Sequence, residues 1–223
     1  SQLVAFVESD QIRDESGRTT PGNDRVSILD RTGTVSPLMT RATQFSAIYD
    51  LQVATDHSLY FTAIGPRDPD LRRETLALTK PLGLWPRLAY VATAGLSGSK
   101  PSISVRHHPL SLGARREEVW GLAVSDDSRR IAYIDFADAD GASNERGRRG
   151  YDIYLLEDGA SRRVTNLGAL QRRVSISGDG KFVAMLADPD RQRRWKIYVL
   201  EVDQARLTEI NASEYRLVPG PGR

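Results

Sequence analysis

Gly121-Leu-Ala-Val-Ser-Asp-Asp-Ser-Arg-Arg-Ile-Ala-Tyr-Ile-Asp-Phe136 is followed, after a polar loop, by Tyr151-Asp-Ile-Tyr-Leu-Leu-Glu-Asp-Gly159 and then Arg162-Arg-Val-Thr165. Further on the same order returns: Arg173-Val-Ser-Ile-Ser-Gly-Asp-Gly-Lys-Phe-Val-Ala-Met-Leu-Ala187, then Trp195-Lys-Ile-Tyr-Val-Leu200, then Ala205-Arg-Leu-Thr208. Aligned on their apolar runs, Ile131 corresponds to Phe182, and the differences in spacing fall in the loops. Asp126-Asp127-Ser128 and Gly178-Asp179-Gly180 carry tight-turn chemistry, because Gly and Asp tolerate positive φ. The runs Ile131–Phe136 and Phe182–Ala187 are almost continuously apolar, as in strands covered on both faces. Ile-Tyr-Leu-Leu and Ile-Tyr-Val-Leu are β-branched and aromatic, which suits strands. Apolar strand, turn, apolar strand, variable loop, third strand and turn, in a unit of about 40–50 residues, is the pattern of a propeller blade.

Weaker copies precede these two. Leu3–Val7, Asp24–Asp30 and Val35–Thr40 match the later part of the unit. Asp50–Ser58, Leu59–Ile64 and Glu74–Thr79 match it again, and Leu88–Thr93 with Ser102–Val105 is a fifth candidate, too close to its predecessor for a complete blade. The expected architecture is therefore all-β, a β-propeller of four or five blades forming one domain over residues 1–218, with 219–223 as a loose tail. The first copy lacks its opening strand, while Tyr215-Arg-Leu-Val218 trails the last copy. Pairing that surplus strand beside Leu3–Val7 closes the ring and removes two exposed edges; the alternative is a piece of a larger propeller.

Val124–Tyr133 with Tyr151–Gly159 and Arg163–Thr165 resembles the TolB-like (WD40-like) propeller repeat, whose unit runs S-P-D-G-K-x-I-A-F, then I-Y-x-x-D-x-x-G, then L-T. Ser177–Lys181, Trp195–Tyr198 and Arg206–Thr208 match it more closely. The resemblance covers residues 121–210 well and residues 1–120 in part. Neither good copy has the family's Pro before the turn Asp, and Ser128 replaces the turn Gly in the first. The resemblance implies a propeller, usually outside the bacterial cytoplasm, used for protein contacts or as a partner domain of hydrolases. It implies no catalytic residue, and a fold of this kind hosts many functions.

Composition narrows the function classes. With 31 Lys+Arg against 29 Asp+Glu, the net charge of +2 gives no support to a nucleic-acid binder. The absence of cysteine removes disulfides, thiolate metal sites and cysteine nucleophiles. No stretch approaches the ~20 apolar residues of a membrane-spanning helix. G-x-S-x-G and the phosphate-cradling glycine motifs are missing, so no catalytic residue is expected. Of the three histidines, His57 falls in a turn. His107 and His108 end a strand, where neighbours point to opposite faces and cannot share one metal ion. Asp138, Asp140, Asn144 and Glu145 gather oxygen ligands in one loop, a weak candidate for calcium, since their spacing is not that of an EF-hand and a solvated loop of Asp, Ser, Asn and Gly is the preferred reading; no other cofactor is expected.

The remaining signal is arginine. Arg148-Arg149 and Arg193-Arg194 stand at equivalent places, just before the third strand of their copies, with Trp195 beside the second pair. Equivalent loops of successive blades gather on one rim, and arginine is enriched at protein interfaces. The expected role is thus a non-enzymatic scaffold of an extracytoplasmic protein, binding another protein with an acidic surface through that rim. Neutralisation by Asp138, Asp140, Glu145, Asp188 and Asp190 is the competing possibility, and a propeller within or beside a hydrolase or lyase is the alternative function.

Overall fold

The computed structural model describes residues 4–13, 19–29, 33–37, 44–56, 58–67, 69–70, 72, 88–95, 102–108, 119, 121–136 and 150–210. Its strands are β1 (Val4–Arg13), β2 (Thr19–Leu29), β3 (Val35–Pro37), β4 (Phe45–Val53), β5 (Ser58–Pro66), β6 (Leu88–Gly95), β7 (Ser102–His107), β8 (Gly121–Val124), β9 (Arg130–Phe136), β10 (Tyr151–Glu157), β11 (Ala160–Arg163), β12 (Leu170–Ile176), β13 (Phe182–Asp188), β14 (Lys196–Glu201) and β15 (Arg206–Ile210). All pairings are antiparallel between elements close in sequence. Strands β8–β11 form one four-stranded sheet and β12–β15 another. The earlier strands are joined as seven, but β2 meets β4 only at Asp24 opposite Phe45. That single bridge separates a three-stranded sheet, β1–β3, from a four-stranded one, β4–β7. We call the four units sheets 1 to 4.

The sequence copies fall onto these sheets with two corrections. Leu88–Thr93 and Ser102–Val105 are not a fifth copy: β6 pairs with β5 and β7, completing the sheet that β4 and β5 begin. A long insertion between β5 and β6 had hidden that continuity, and Glu74–Thr79 lies in it, outside the described residues. The second correction is of register. In sheet 3 the Ser125 N–H donates to the Arg130 carbonyl at 2.9 Å and Ser125 Oγ accepts from Arg130 N–H at 3.0 Å. In sheet 4 Ser177 N–H donates to Phe182 at 2.8 Å and Ser177 Oγ accepts from its N–H at 3.0 Å. Arg130, not Ile131, is therefore the counterpart of Phe182. Matching by hydrophobicity alone slipped the alignment by one, and in a strand one residue exchanges the two faces.

With that register the core is three versions of one interface. Leu59, Phe61, Leu88 and Tyr90 of sheet 2 pack back onto Val26, Ala5 and Val7 of sheet 1. Ile131, Tyr133, Tyr154 and Leu156 of sheet 3 pack back onto Tyr60, Ala89 and Val91 of sheet 2. Val183, Met185, Tyr198 and Leu200 of sheet 4 pack back onto Ala132, Ile134, Ile153 and Leu155 of sheet 3. Every sheet thus has a backward face, toward its predecessor, and a forward face. Alternation with period two supplies both from one apolar run.

The turns that open sheets 2, 3 and 4 are stitched together. Thr55 N–H donates to the Asp126 carbonyl at 3.0 Å, and Asp126 N–H donates to the Gly178 carbonyl at 2.9 Å. These three residues hold the same place in successive turns. Inside the turn, Ser125 Oγ donates to Asp127 at 2.7 Å and Arg129 N–H to the same carboxylate at 3.1 Å; Ser177, Asp179 and Lys181 reproduce both bonds at 2.7 and 3.1 Å. The hydroxyl bonds hold Asp127 and Asp179 below the usual carboxylate range. Both turns need a left-handed residue: Gly180 at φ 71° and Ser128 at φ 61°. Arg130 adds a clamp, reaching Glu157 at 2.6 Å, the Gly180 carbonyl at 3.1 Å and Asp203 of sheet 4 at 2.8 Å.

Two expectations from sequence meet their limit here. The closing strand Tyr215–Val218 lies outside the described residues, and the described cores contain no contact between sheet 4 and sheet 1. Phe182–Ala187, read as covered on both faces, is covered on one: Val183 and Ala187 are fully buried, whereas Phe182 remains 44% exposed.

Candidate functional site

The basic end of sheet 4 is built by one buried carboxylate. Asp188, at the end of β13, is fully buried and accepts the Gln192 N–H at 3.2 Å and the Arg193 N–H at 2.7 Å, while its carbonyl accepts from Arg191 N–H at 3.3 Å. Winding the chain around that carboxylate places Arg191 at φ 56° and Arg193 at φ 60°, a conformation arginine adopts only under constraint. Arg193 and Arg194 point outward and are exposed. On the neighbouring strand β12, the register shifts between Arg172 and Val174, leaving Arg173 in a bulge at φ 55°. Bulges re-aim side chains in this way. Both Arg172 and Arg173 are exposed. The Arg172 guanidinium lies 4.8 Å from the Trp195 ring centroid, a cation–π contact that holds both groups at the surface.

Four exposed arginines thus lie on β12 and on the loop from β13 to β14, with Arg172 against Trp195, and among the described residues none of Arg172, Arg173, Arg193 or Arg194 is ion-paired. Asp188, one of the carboxylates expected to neutralise them, is committed to backbone N–H groups. Nearby cations are paired: Lys196 bridges Glu209 at 3.0 Å, and Tyr198 donates to Glu209 at 3.2 Å. That carboxylate raises the Lys196 ammonium above its ordinary value. Sequence does not distinguish Arg172 from other arginines, because only the β12–β13 register brings it to Trp195. Arg148 and Arg149, the other half of the expected rim, lie outside the described residues, as do Asp138, Asp140, Asn144 and Glu145 of the calcium candidate.

Chemically this surface can bind carboxylates: guanidinium forks match them bidentately, and arginine and tryptophan are the side chains that most often dominate interface energy. Among the described residues no group of three His, Asp or Glu side chains is placed to hold a metal ion. His57 is not described, nor is the side chain of His107. His108 is half-buried, its N–H donating to the Ala89 carbonyl at 2.9 Å and its ring 5.7 Å from Tyr60, so it belongs to the packing of sheet 2. The buried carboxylate of Asp152 is also structural. It accepts from Arg163 at 2.5 Å, Thr165 Oγ1 at 2.8 Å and Leu167 N–H at 2.7 Å, fixing the chain between β11 and β12.

No protein-family model matches the chain, and no curated protein matches it in sequence. Solved structures do match in shape. TolB from Acinetobacter baumannii superposes with a TM-score of 0.52 at 16% identity, over 85% of this chain and 38% of that one. A protein assigned as TolB from Agrobacterium tumefaciens gives 0.50 at 12%, over 95% and 71%. An oligogalacturonate lyase in complex with manganese gives 0.52 at 13%, over 93% and 50%. The likeness is one of fold: the chain has the TolB-like β-propeller fold, and it spans 38% of the length of the A. baumannii protein and half that of the lyase. No helix among the described residues is long and apolar enough to cross a membrane.

Proposed function

We propose that this chain is a non-enzymatic, protein-binding run of four propeller blades from an extracytoplasmic bacterial protein, and that it takes an acidic protein surface on the arginine–tryptophan end of sheet 4. The observation that carries the proposal is the set of exposed arginines on β12 and the β13–β14 loop, with Arg172 against Trp195, left without carboxylate partners among the described residues while Asp188 is committed to its own loop. Sheets 1 to 4 serve as consecutive blades, the first without an inner strand. Arg148 and Arg149, which precede the third strand of their copy as Arg193 and Arg194 precede β14, extend the same rim, and calcium at Asp138, Asp140, Asn144 and Glu145 would belong to the loop that bears them. The extracytoplasmic placement rests on the TolB-like repeat alone.

Affinity capture from a periplasmic extract, with the wild-type chain and Arg193→Glu/Arg194→Glu side by side, tests this. The expected result is loss of the captured protein on charge reversal, with an unchanged circular-dichroism spectrum. Retention of the same protein by the reversed chain contradicts it. A propeller domain within or beside a hydrolase or lyase is the second reading, supported by the shape of the lyase neighbour.

A further inference from the structure

The forward face of sheet 4 repeats the apolar positions of the forward face of sheet 3, but among the described residues no sheet lies on it, and Ala184, Leu186 and Val199 are only half-buried. In sheet 3, Ala132 lies opposite Leu155 and Ile134 opposite Ile153, and all four side chains are fully buried beneath sheet 4. In sheet 4, Ala184 lies opposite Val199 and Leu186 opposite Ile197 at the corresponding positions. Yet Ile197 is 45% exposed where Ile153 is at 0%. Phe182, the counterpart of the clamp residue Arg130, extends the open apolar face at 44% exposure. The Arg172–Trp195 pair borders it at the loop end.

The chain also carries the missing half of that interface. The backward face of sheet 1 presents Val4, Leu29 and Val35, facing one another across three strands, with Phe6 beside them. Val4 is 54% and Val35 49% exposed. Beyond these, toward the far end of β1, the same face turns acidic. Among the described residues Glu8 and Asp10 share one cation, Arg25, at 3.1 and 3.7 Å, with Ser27 donating to Glu8 and Gln44 to Asp10. The second strands of all four sheets run the same way, from the turn end to the loop end. A sheet-1 face laid on sheet 4 in the repeated geometry therefore sets Val4 and Phe6 against Phe182 and Ala184, and Glu8 and Asp10 against the end that bears Arg172, Arg193 and Arg194.

We propose that the occupant of the sheet 4 face is sheet 1 of a second copy of this chain. The contact is head-to-tail and reciprocal: sheet 1 of each copy lies on sheet 4 of the other, so two copies related by a two-fold axis make it twice. This names the acidic partner of the arginine end and rests on that part of the proposed function; it adds the apolar face and the second copy.

The chain has no cysteine, which makes the contact directly readable. Val4→Cys/Phe182→Cys, treated with a bismaleimide spanning about 10 Å, the distance between packed sheets, is expected to give a covalent dimer, while neither single variant gives one. Unmodified protein is expected to scatter light at twice 24.7 kDa, and Val4→Glu or Ile197→Glu to return it to 24.7 kDa. Both sites are exposed in the single chain, so these changes leave it folded. A monomer at high concentration, a cross-link formed within one chain, or a dimer cross-linked by Phe182→Cys alone each overturns the proposal. If the chain is monomeric and Arg193→Glu/Arg194→Glu still loses a different captured protein, the second copy is wrong and the arginine surface stands; if dimer and captured protein are both indifferent to that reversal, the arginine surface is wrong.

Discussion

Sheets 3 and 4 are two copies of one instruction in different surroundings. Their turns match bond for bond, with a serine hydroxyl on an aspartate at 2.7 Å in each. Their central strands present the same apolar pairs on the forward face. What differs is what lies on that face: sheet 3 has a successor and sheet 4 has none within the described chain. Local sequence sets the turn and the strand, whereas a neighbouring sheet decides whether an apolar side chain becomes core. The same divergence touches the polar positions. Asp152 in sheet 3 is buried beneath Arg163, Thr165 and Leu167, while its counterpart Lys196 in sheet 4 stands in an exposed pair with Glu209.

That divergence sets the order of expected effects. Asp152→Ala leaves Arg163 and three backbone or hydroxyl donors without their acceptor and is expected to cost about 3–5 kcal/mol, measured by denaturant unfolding. Lys196→Ala is expected to leave the midpoint nearly unmoved, since exposed pairs contribute little. Next, Ile153→Ala should cost about 2–5 kcal/mol through the cavity beneath sheet 4, against less than about 1 kcal/mol for Ile197→Ala in dilute protein. Equal losses at the two positions would erase the distinction between a covered and an open face.

The turns sharpen the contrast further. Ser128 occupies the left-handed place that Gly180 fills in the other copy, and its buried hydroxyl has no hydrogen-bond partner among the described residues. Ser128→Gly should therefore stabilise the chain by about 1 kcal/mol. Gly180→Ala should destabilise it, because a Cβ there would come within 2.8 Å of the Arg130 side chain and keep the positive φ. The smallest effect is one of pH. Asp127 and Asp179 titrate below their ordinary value of 3.8, so their contribution is present above that value and fades as the pH falls through the depressed one. Carboxyl chemical shifts should show Ser125→Ala raising Asp127 while Asp179 stays put.

Much of this was legible in the residues. Aspartate-centred turns followed by apolar runs identified the β-repeat, and the copies at 121–165 and 173–208 became sheets 3 and 4. Sheet 2 was harder to read because the long stretch between β5 and β6 made one blade look like parts of two. The one-residue slip between Ile131 and Phe182 has a similar origin: hydrophobicity matches side chains, but turn hydrogen bonds set register. Arg193, Arg194 and Trp195 were visible as a cluster. That Arg172 joins them depends on strand register, and that Asp188 does not neutralise them depends on which N–H groups it accepts; neither has a sequence signature.

The central claim is that consecutive sheets pack through one repeated face in the corrected register. Methyl nuclear Overhauser spectra of the labelled chain test it most directly. Cross-peaks are expected between Ala132, Ile134, Ile153 or Leu155 and the methyls of Val183 or Met185, which share the core between sheets 3 and 4. Cross-peaks joining Ile153 instead to Leu186 or Ile197 would place the opposite face of sheet 4 against sheet 3 and contradict the register on which both the fold and the open face depend.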